Sequence, residues 1–111
     1  MTIQVRAVGK AVIMRVEGRM DEASCEAFDA ACSQAVADGA VNLVADLSAL
    51  TYISSAGIGT FVKVAKMVKQ AHGEIVLTGM YGLVKDVFEL THVVTIFQVF
   101  ESPELALAGA P

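Results

Sequence analysis

A nearly continuous apolar run, V-N-L-V-A-D at 41–46, constrains the fold more than any other segment. A run of this kind is typical of a strand that is covered on both faces of a sheet. Helical spacing follows at 55–71, where the inward stripe consists of Ile58, Phe61, Val62, Ala65 and Val68. Together the two segments predict a central strand that leads into a helix packed on the same sheet.

The segments around this unit alternate between strands and helices. Strands rich in β-branched residues are predicted at 2–8, 11–17, 74–78 and 95–100, and G-R-M-D at 18–21 closes the second of them. Further helices are predicted at 22–38, at 82–90 and from Ser102 onward. The order β-β-α-β-α-β-α-β-α predicts an α/β fold. We expect a single domain over 1–111, with a mixed central sheet of about five strands and about four helices.

Right-handed crossovers would bring the ends of the second and third strands to one edge of the sheet, together with the starts of the first two helices. We therefore expect Asp21, Asp46 and the Ser54-Ser55 pair to lie at that edge. In open α/β sheets, ligands and partners dock at such an edge. The sequence thus predicts the functional surface there, although Asp21 is equally explained as the N-cap of the first helix.

Charge and hydropathy argue against two classes of partner. The net charge is −4, and the 8 basic residues form no run, so no nucleic acid partner is expected. Lys63, Lys66 and Lys69 predict a solvated helix face. No apolar run reaches the ~18 residues that a membrane span needs. Because the N-terminus also lacks the pattern of a signal peptide, we expect a cytoplasmic protein without membrane insertion.

The residues that most often carry catalysis or bind metals are poorly placed for either. His72 falls at the far end of the second helix, over ~20 Å from the serines at its start, and His92 follows the third helix. Cys25 and Cys32 would lie ~10 Å apart on one helix, too far for a disulfide, and are predicted to be small core residues. No metal-ligand spacing, nucleophile elbow or phosphate loop is present. We therefore expect neither enzymatic activity nor a cofactor or metal.

The segment T-Y-I-S-S-A-G-I-G at 51–59 places two serines where the second helix begins. One serine suffices as an N-cap. Gly57 and Gly59 each cost ~1 kcal/mol relative to alanine in a helix, a cost that close approach of a partner backbone would explain. A helix start tolerates a phosphate, whereas a dry interface does not. A phosphorylated hydroxyl at this point would therefore act as a binding switch that leaves the fold intact.

Three stretches, G-R-M-D at 18–21, D-L-S-A-L-T-Y-I-S-S-A-G-I-G at 46–59 and the F-V-K-V-A-K that follows, resemble the STAS domain. More narrowly, nearly the whole chain resembles the bacterial anti-sigma-factor antagonists. The resemblance implies a partner-switching protein that binds an anti-sigma-type serine kinase of the GHKL ATPase class and frees its captive sigma factor. Phosphorylation by that kinase breaks the complex, and a PP2C-type phosphatase reverses the modification.

In this family the usual motif is Asp, the phosphorylated Ser, Ser or Thr, and then Gly. Placing Gly57 on that glycine implies that Ser55 is the phosphoacceptor. Ser54 then stands where the family has aspartate, and it is the second choice of acceptor or, more simply, the helix cap. The family turn G-E-L-D falls on 18–21, so Asp21 matches its aspartate. The partner-binding surface implied by the resemblance comprises Asp21, Ser54, Ser55, Ala56, Gly57, Ile58 and Gly59.

A second hypothesis is a constitutive adaptor, because some small STAS proteins that resemble this one are subunits of membrane lipid-transport ABC complexes. Hydrophobic residues make up 55% of the chain, and the exposed apolar surface expected from this composition would suit that role. Copurification with an ABC-type ATPase, without phosphate on the protein, would distinguish the adaptor from the switch. Binding of a nucleotide or another small ligand by the same loop is a third, separate hypothesis.

Overall fold

The computed structural model of the protein describes residues 1–109, so the last two residues of the predicted 1–111 domain lie outside it. Its strands are β1 (Thr2–Val8), β2 (Ala11–Met20), β3 (Asn42–Ile53), β4 (Glu74–Thr78) and β5 (Gln98–Phe100). Its helices are α1 (Glu22–Ala37), α2 (Ser55–Gln70), α3 (Gly82–Leu90) and α4 (Pro103–Ala108). The predicted order of elements and the α/β class are confirmed.

The five strands form one mixed sheet in the order β1-β2-β3-β4-β5. β1 is antiparallel to β2, and all other neighbours are parallel. Each crossover helix advances the chain by one strand in the same direction, so right-handed connections place α1, α2 and α3 on one face. The main core lies on that face and takes Phe28, Phe61 and Phe88 from these three helices. On the opposite face, Ala106 of α4 packs with Ile13.

Phe61 lies at the centre of the main core and is fully buried. Its ring centroid is 4.6 Å from that of Phe28 on α1, 5.4 Å from that of Phe88 on α3 and 6.3 Å from that of Phe97. Aromatic pairs at these separations add to the stability gained from burial. This one side chain therefore joins α2 to the helices on both sides of it.

Two strands extend further than their patterns predict. The ends of β2 and β3, predicted at residues 17 and 46, lie at Met20 and Ile53. The pairing of β2 with β3 shifts register between Arg15 and Glu17 and again after Gly18, whose φ is +93°. Such bulges bend a strand and let it continue past a break in its pattern. β2 therefore ends within G-R-M-D, as expected, but three residues later than predicted, because Gly18, Arg19 and Met20 belong to the strand.

The last strand is shorter than predicted. The run at 95–100 was expected to be fully extended, but β5 begins only at Gln98. His92 adopts a left-handed conformation with φ of 60°, and a 3₁₀ turn occupies Val93–Ile96. Since that turn directs Phe97 toward the aromatic core, packing of the ring takes precedence over the β-propensity of this segment.

The two cysteines are free thiols in different surroundings. Cys32 is fully buried, with its sulfur 3.6 Å from that of Met14, and burial raises its pKa to about 12. Cys25 is half-buried, and its thiol donates to the backbone oxygen of Asp21 at 3.2 Å. The prediction of a core residue is thus confirmed for Cys32. Among the described residues, no helix combines the length and hydropathy needed to cross a membrane.

Candidate functional site

The starts of α1 and α2 lie side by side because the strands before them end side by side. Met20 pairs with Ile53 at the parallel ends of β2 and β3. The residue that follows β3, Ser54, donates its backbone N–H to the backbone oxygen of Met20 at 2.9 Å. Asp21 and Ser54 are therefore the first residues beyond two neighbouring strands. The prediction that Asp21 and the Ser54-Ser55 pair lie at one edge is confirmed.

Asp46 does not lie at this edge. It pairs with Arg15 and Thr78, and β3 continues for seven residues after it, to Ile53. At a rise of about 3.3 Å per strand residue, those seven residues span roughly 20 Å. Its buried carboxylate accepts hydrogen bonds from the backbone N–H and the hydroxyl of Ser48, at 3.0 and 2.7 Å. The expected location was wrong because β3 is longer than predicted.

Ser54 is the N-cap of α2. Its backbone is extended, with φ of −83° and ψ of 170°. Its hydroxyl oxygen accepts the backbone N–H of Gly57 at 3.1 Å, and its carbonyl oxygen accepts that of Ile58 at 3.0 Å. These contacts satisfy N–H groups that a helix start otherwise leaves without partners. The capping role that the sequence left open for Ser54 is confirmed.

Ser55 is the first residue of α2, and its side chain is exposed. Within residues 1–109, its hydroxyl makes no hydrogen bond, in contrast to that of Ser54. The first turn of α2 contains no acidic residue. The free hydroxyl is therefore positioned at the positive end of a helix of 16 residues. An anion attached at such a position is stabilised by the helix dipole and the unpaired N–H groups.

The two glycines behind the serines have different surroundings. A Cβ on Gly57 would lie 2.7 Å from Cγ1 of Ile53 and 3.3 Å from Cγ of Met20. Gly57 thus lets α2 pack directly on the ends of β2 and β3, and Ile58 beside it is buried in the core. A Cβ on Gly59, which is exposed, would meet nothing within 4 Å. The space at Gly57 is therefore filled by the protein itself, and only Gly59 offers open backbone to a partner.

The two glycines provide a matched pair of variants. We expect Gly57→Ala to lower the free energy of unfolding by about 1–3 kcal/mol, because the added methyl group overpacks against Ile53. Gly59→Ala should raise it by about 0.5–1 kcal/mol, because alanine favours the helix and meets no neighbour. Urea unfolding of both variants measures the difference. Equal effects of the two changes would contradict the packing described at Gly57.

Asp21 is the N-cap of α1. Its Oδ1 accepts hydrogen bonds from the backbone N–H and the hydroxyl of Ser24, at 3.1 and 2.8 Å. The hydrogen bond from the Ser24 hydroxyl is the main reason that the pKa of this exposed carboxyl lies below its ordinary value. The stabilisation that the ionised carboxylate of Asp21 gives to α1 is complete above the ordinary pKa of aspartate. It is lost as the pH falls through the lowered pKa of Asp21. Asp21 therefore presents a negative charge beside Ser54 at neutral pH.

Arg19 is a charged residue of this edge that the sequence reading missed. Its guanidinium lies 4.1 Å from the ring centroid of Tyr52, with which it pairs across β2 and β3. The guanidinium therefore stacks on the ring in a cation–π contact, two residues before Asp21. Arg19 and Tyr52 are 33 positions apart in the chain, and both lie in parts of the strands that were predicted to be loops. No local pattern in the sequence signals such a pair.

Comparison with known proteins identifies the family. The sequence profile of the STAS domain matches residues 2–106. BtrV of Bordetella bronchiseptica, which is named as an anti-sigma factor antagonist, is 37% identical over 98 residues, covering 88% of this chain and 84% of BtrV.

Two solved structures of SpoIIAA are also similar. The anti-sigma factor antagonist SpoIIAA in its unphosphorylated form has a TM-score of 0.82 at 21% identity, covering 96% of this chain and 93% of that one. The Bacillus cell fate determinant SpoIIAA in the phosphorylated form has a TM-score of 0.74 at 20% identity, covering 96% and 97%. At this identity the likeness shows a shared fold. The profile match and the identity to BtrV show that the chain belongs to the STAS domain family, among the bacterial anti-sigma factor antagonists.

Proposed function

We propose that this protein binds an anti-sigma-type serine kinase of the GHKL ATPase class and is released when that kinase phosphorylates Ser55. One observation carries the proposal: the hydroxyl of Ser54 is engaged in capping α2, whereas that of Ser55 is exposed and free of hydrogen bonds to the described residues. The names of two similar proteins support it, since BtrV is called an anti-sigma factor antagonist and SpoIIAA is known in both unphosphorylated and phosphorylated forms.

The surface proposed for the kinase is formed by the exposed part of the edge. Asp21, Ser55 and Gly59 are exposed, and Ser54 and Ala56 are half-buried between them. Buried Gly57 and Ile58 support this surface from below and set the position of α2. Because Gly59 has no side chain, a partner backbone can approach closely there. An uncharged serine hydroxyl at the centre of such a contact costs little to desolvate when the partner hydrogen-bonds it.

In the proposed transfer step, Oγ of Ser55 attacks the γ-phosphorus of ATP that the kinase holds. The bond from that phosphorus to the bridging oxygen breaks, ADP leaves, and the serine proton passes to a base of the kinase or to water. This chain supplies only the nucleophile and its surroundings. The N–H groups of Ser54 and Gly57 already have acceptors, which leaves those of Ser55 and Ala56 facing the new phosphate.

Phosphorylation then separates the two proteins without unfolding this one. The phosphate adds a charge of about −1.5 to −2 at a surface that already carries the carboxylate of Asp21. The helix start stabilises it by about 0.3–1 kcal/mol, so the domain itself tolerates the modification. An interface that was formed around a neutral hydroxyl instead has to accommodate an uncompensated charge. A PP2C-type phosphatase would restore the binding form.

The binding step is tested with a pair of acidic variants. Ser55→Asp is expected to weaken binding to the cognate kinase by about tenfold to a hundredfold, because an interface that was formed around a neutral hydroxyl has to accommodate an uncompensated charge. Ser54→Asp adds the same charge one residue earlier, at the position where the family has aspartate, so kinase binding should be retained. Stability should also be retained, because aspartate is a good N-cap. Calorimetric titration of each variant with the kinase measures both affinities.

Urea unfolding of the same samples checks that neither variant loses its fold. Equal affinities of Ser55→Asp and the unmodified protein would overturn the switch at Ser55. If no serine kinase binds at all, and the protein copurifies instead with an ABC-type ATPase, the adaptor hypothesis replaces the switch.

A further inference from the structure

The two edges of the sheet differ in how well they are protected from pairing with another chain. The edge strand β5 has only three residues, and Gly109 at the end of α4 packs against the ring of Phe100. The other edge strand, β1, has seven residues, and it pairs with β2 without any register shift. It contains no proline and a single charged side chain, Arg6. A long, regular edge strand without bulges or proline is a template for pairing.

The turn after β1 determines which of its backbone groups are free. Val8 and Ala11 flank a two-residue turn whose glycine has φ of 60°, as a type II′ turn requires. They are the first and last residues of that turn and therefore form a hydrogen-bonded pair. Such pairs alternate along an antiparallel ladder. The residues whose N–H and C=O groups point away from β2 are thus Ile3, Val5 and Ala7.

We propose that two copies of this chain associate by antiparallel pairing of their β1 strands, centred on Val5. In this register Val5 pairs with Val5 of the second copy, and each Ile3 pairs with the other Ala7. All three residues with outward-pointing groups then form hydrogen-bonded pairs, and each such pair exchanges two bonds. In any other register that pairs residues of this set with one another, at most two hydrogen-bonded pairs form between the copies. The two five-stranded sheets would join into one continuous sheet.

The side chains of β1 are complementary in the same register. On the face that carries α1, the paired side chains are the apolar ones of Ile3, Val5 and Ala7, and Val5 is 57% exposed in the single chain. On the opposite face, each Gln4 lies across from Arg6 of the second copy, so an amide oxygen meets a guanidinium. The two arginines do not face each other. Cross-strand pairs of these kinds stabilise antiparallel sheets.

An apolar groove of about 620 Å³ follows β1 on the α1 face of the sheet. Its floor and walls include Val5, Ala7 and Val12 of the sheet and Ala31 and Ala35 of α1. A two-fold axis at Val5 would bring the grooves of the two copies to face each other. Burial of these small apolar side chains would add to the backbone pairing. A closed, isologous dimer of this kind leaves no free β1 edge for further growth.

The proposed interface leaves the Ser55 surface free. Ser55 follows β3, which is separated from β1 by the whole of β2. A dimer would therefore present two Ser55 surfaces, one on each copy, to partners. Association of the copies needs neither kinase nor phosphate, so its failure would not affect the function proposed for Ser55.

The test is the mass of the full chain in solution, measured by sedimentation equilibrium from micromolar to millimolar concentration. We expect the mass to rise from 11.6 kDa to twice that value with concentration. Val5→Lys and Val5→Glu should each weaken the dimer at least tenfold, because two like charges would face each other at the two-fold axis. An equimolar mixture of these variants should dimerise again, since lysine then faces glutamate.

Val99→Lys is the matched control, because Val99 is 46% exposed on the opposite edge strand. It should leave the dimer intact. Circular dichroism of every variant checks the fold. A single-chain mass for the wild-type protein at all concentrations would overturn the dimer. A dimer that tolerates Val5→Lys, or a mixture that fails to reassociate, would overturn the register centred on Val5.

Discussion

Transfer of labelled phosphate from ATP by the cognate kinase is expected to be lost completely in Ser55→Ala and retained in Ser54→Asn. Ser55→Ala removes the exposed hydroxyl, and the cap of α2 stays in place because Ser54 provides it. Ser54→Asn removes the other hydroxyl but keeps a side-chain oxygen that can accept the N–H of Gly57. The pair therefore removes one hydroxyl at a time from a helix that stays capped in both variants.

Incorporation of radioactive phosphate per mole of protein measures this result, and mass spectrometry of the peptide around residues 51–59 locates the modified residue. Full labelling of Ser55→Ala together with an unlabelled Ser54→Asn would reverse the assignment of the two serines. Labelling of both variants would show that either hydroxyl can accept the phosphate.

Phe61→Ala is expected to lower the free energy of unfolding by about 3–5 kcal/mol, a large share of the stability of a domain of this size. Phe61 is fully buried, and its ring contacts those of Phe28 and Phe88, so the vacated volume borders three helices. Rigid side chains on all sides limit how far the core can relax into the cavity. The midpoint of urea unfolding, followed by circular dichroism, measures the loss.

Phe97→Ala is the matched control because it deletes a phenyl ring of the same size, but at the rim of the aromatic cluster. Phe97 is only half-buried, and its centroid lies 6.3 Å from that of Phe61. We expect a clearly smaller loss, since solvent can partly fill the space that the ring leaves. Equal losses for the two variants would contradict the central position of Phe61.

The order of elements was predictable because each one has a local pattern, but two strand ends were not. Leu43, Val44 and Ala45 of β3 are buried and form the apolar part of the predicted run. Beyond them Leu50 and Ile53 are buried while Ser48 and Thr51 are exposed. A strand covered on one face only, with an irregular register to β2, has a weaker pattern. Because the pattern at these strand ends is weak, Asp46 was predicted at the wrong place in the sheet. The stacking of Arg19 on Tyr52 was not predicted for the same reason.

At the candidate site, the sequence predicted what is local and missed what depends on packing. Ser54 could be recognised as a cap because capping involves only the next few residues. The role of Gly57 could not, because it depends on contact with Met20 and Ile53 of two other strands. In α2, buried Val64 was missed, and Val62, which was assigned to the inward stripe, is only half-buried.

The strictly consecutive strand order also has a consequence for how the domain forms. Every strand pairs only with the strands before and after it in the chain. No strand has to insert between two others that are already paired. During synthesis on the ribosome, the sheet can therefore grow in one direction, from the β1–β2 hairpin to β5, as each strand emerges.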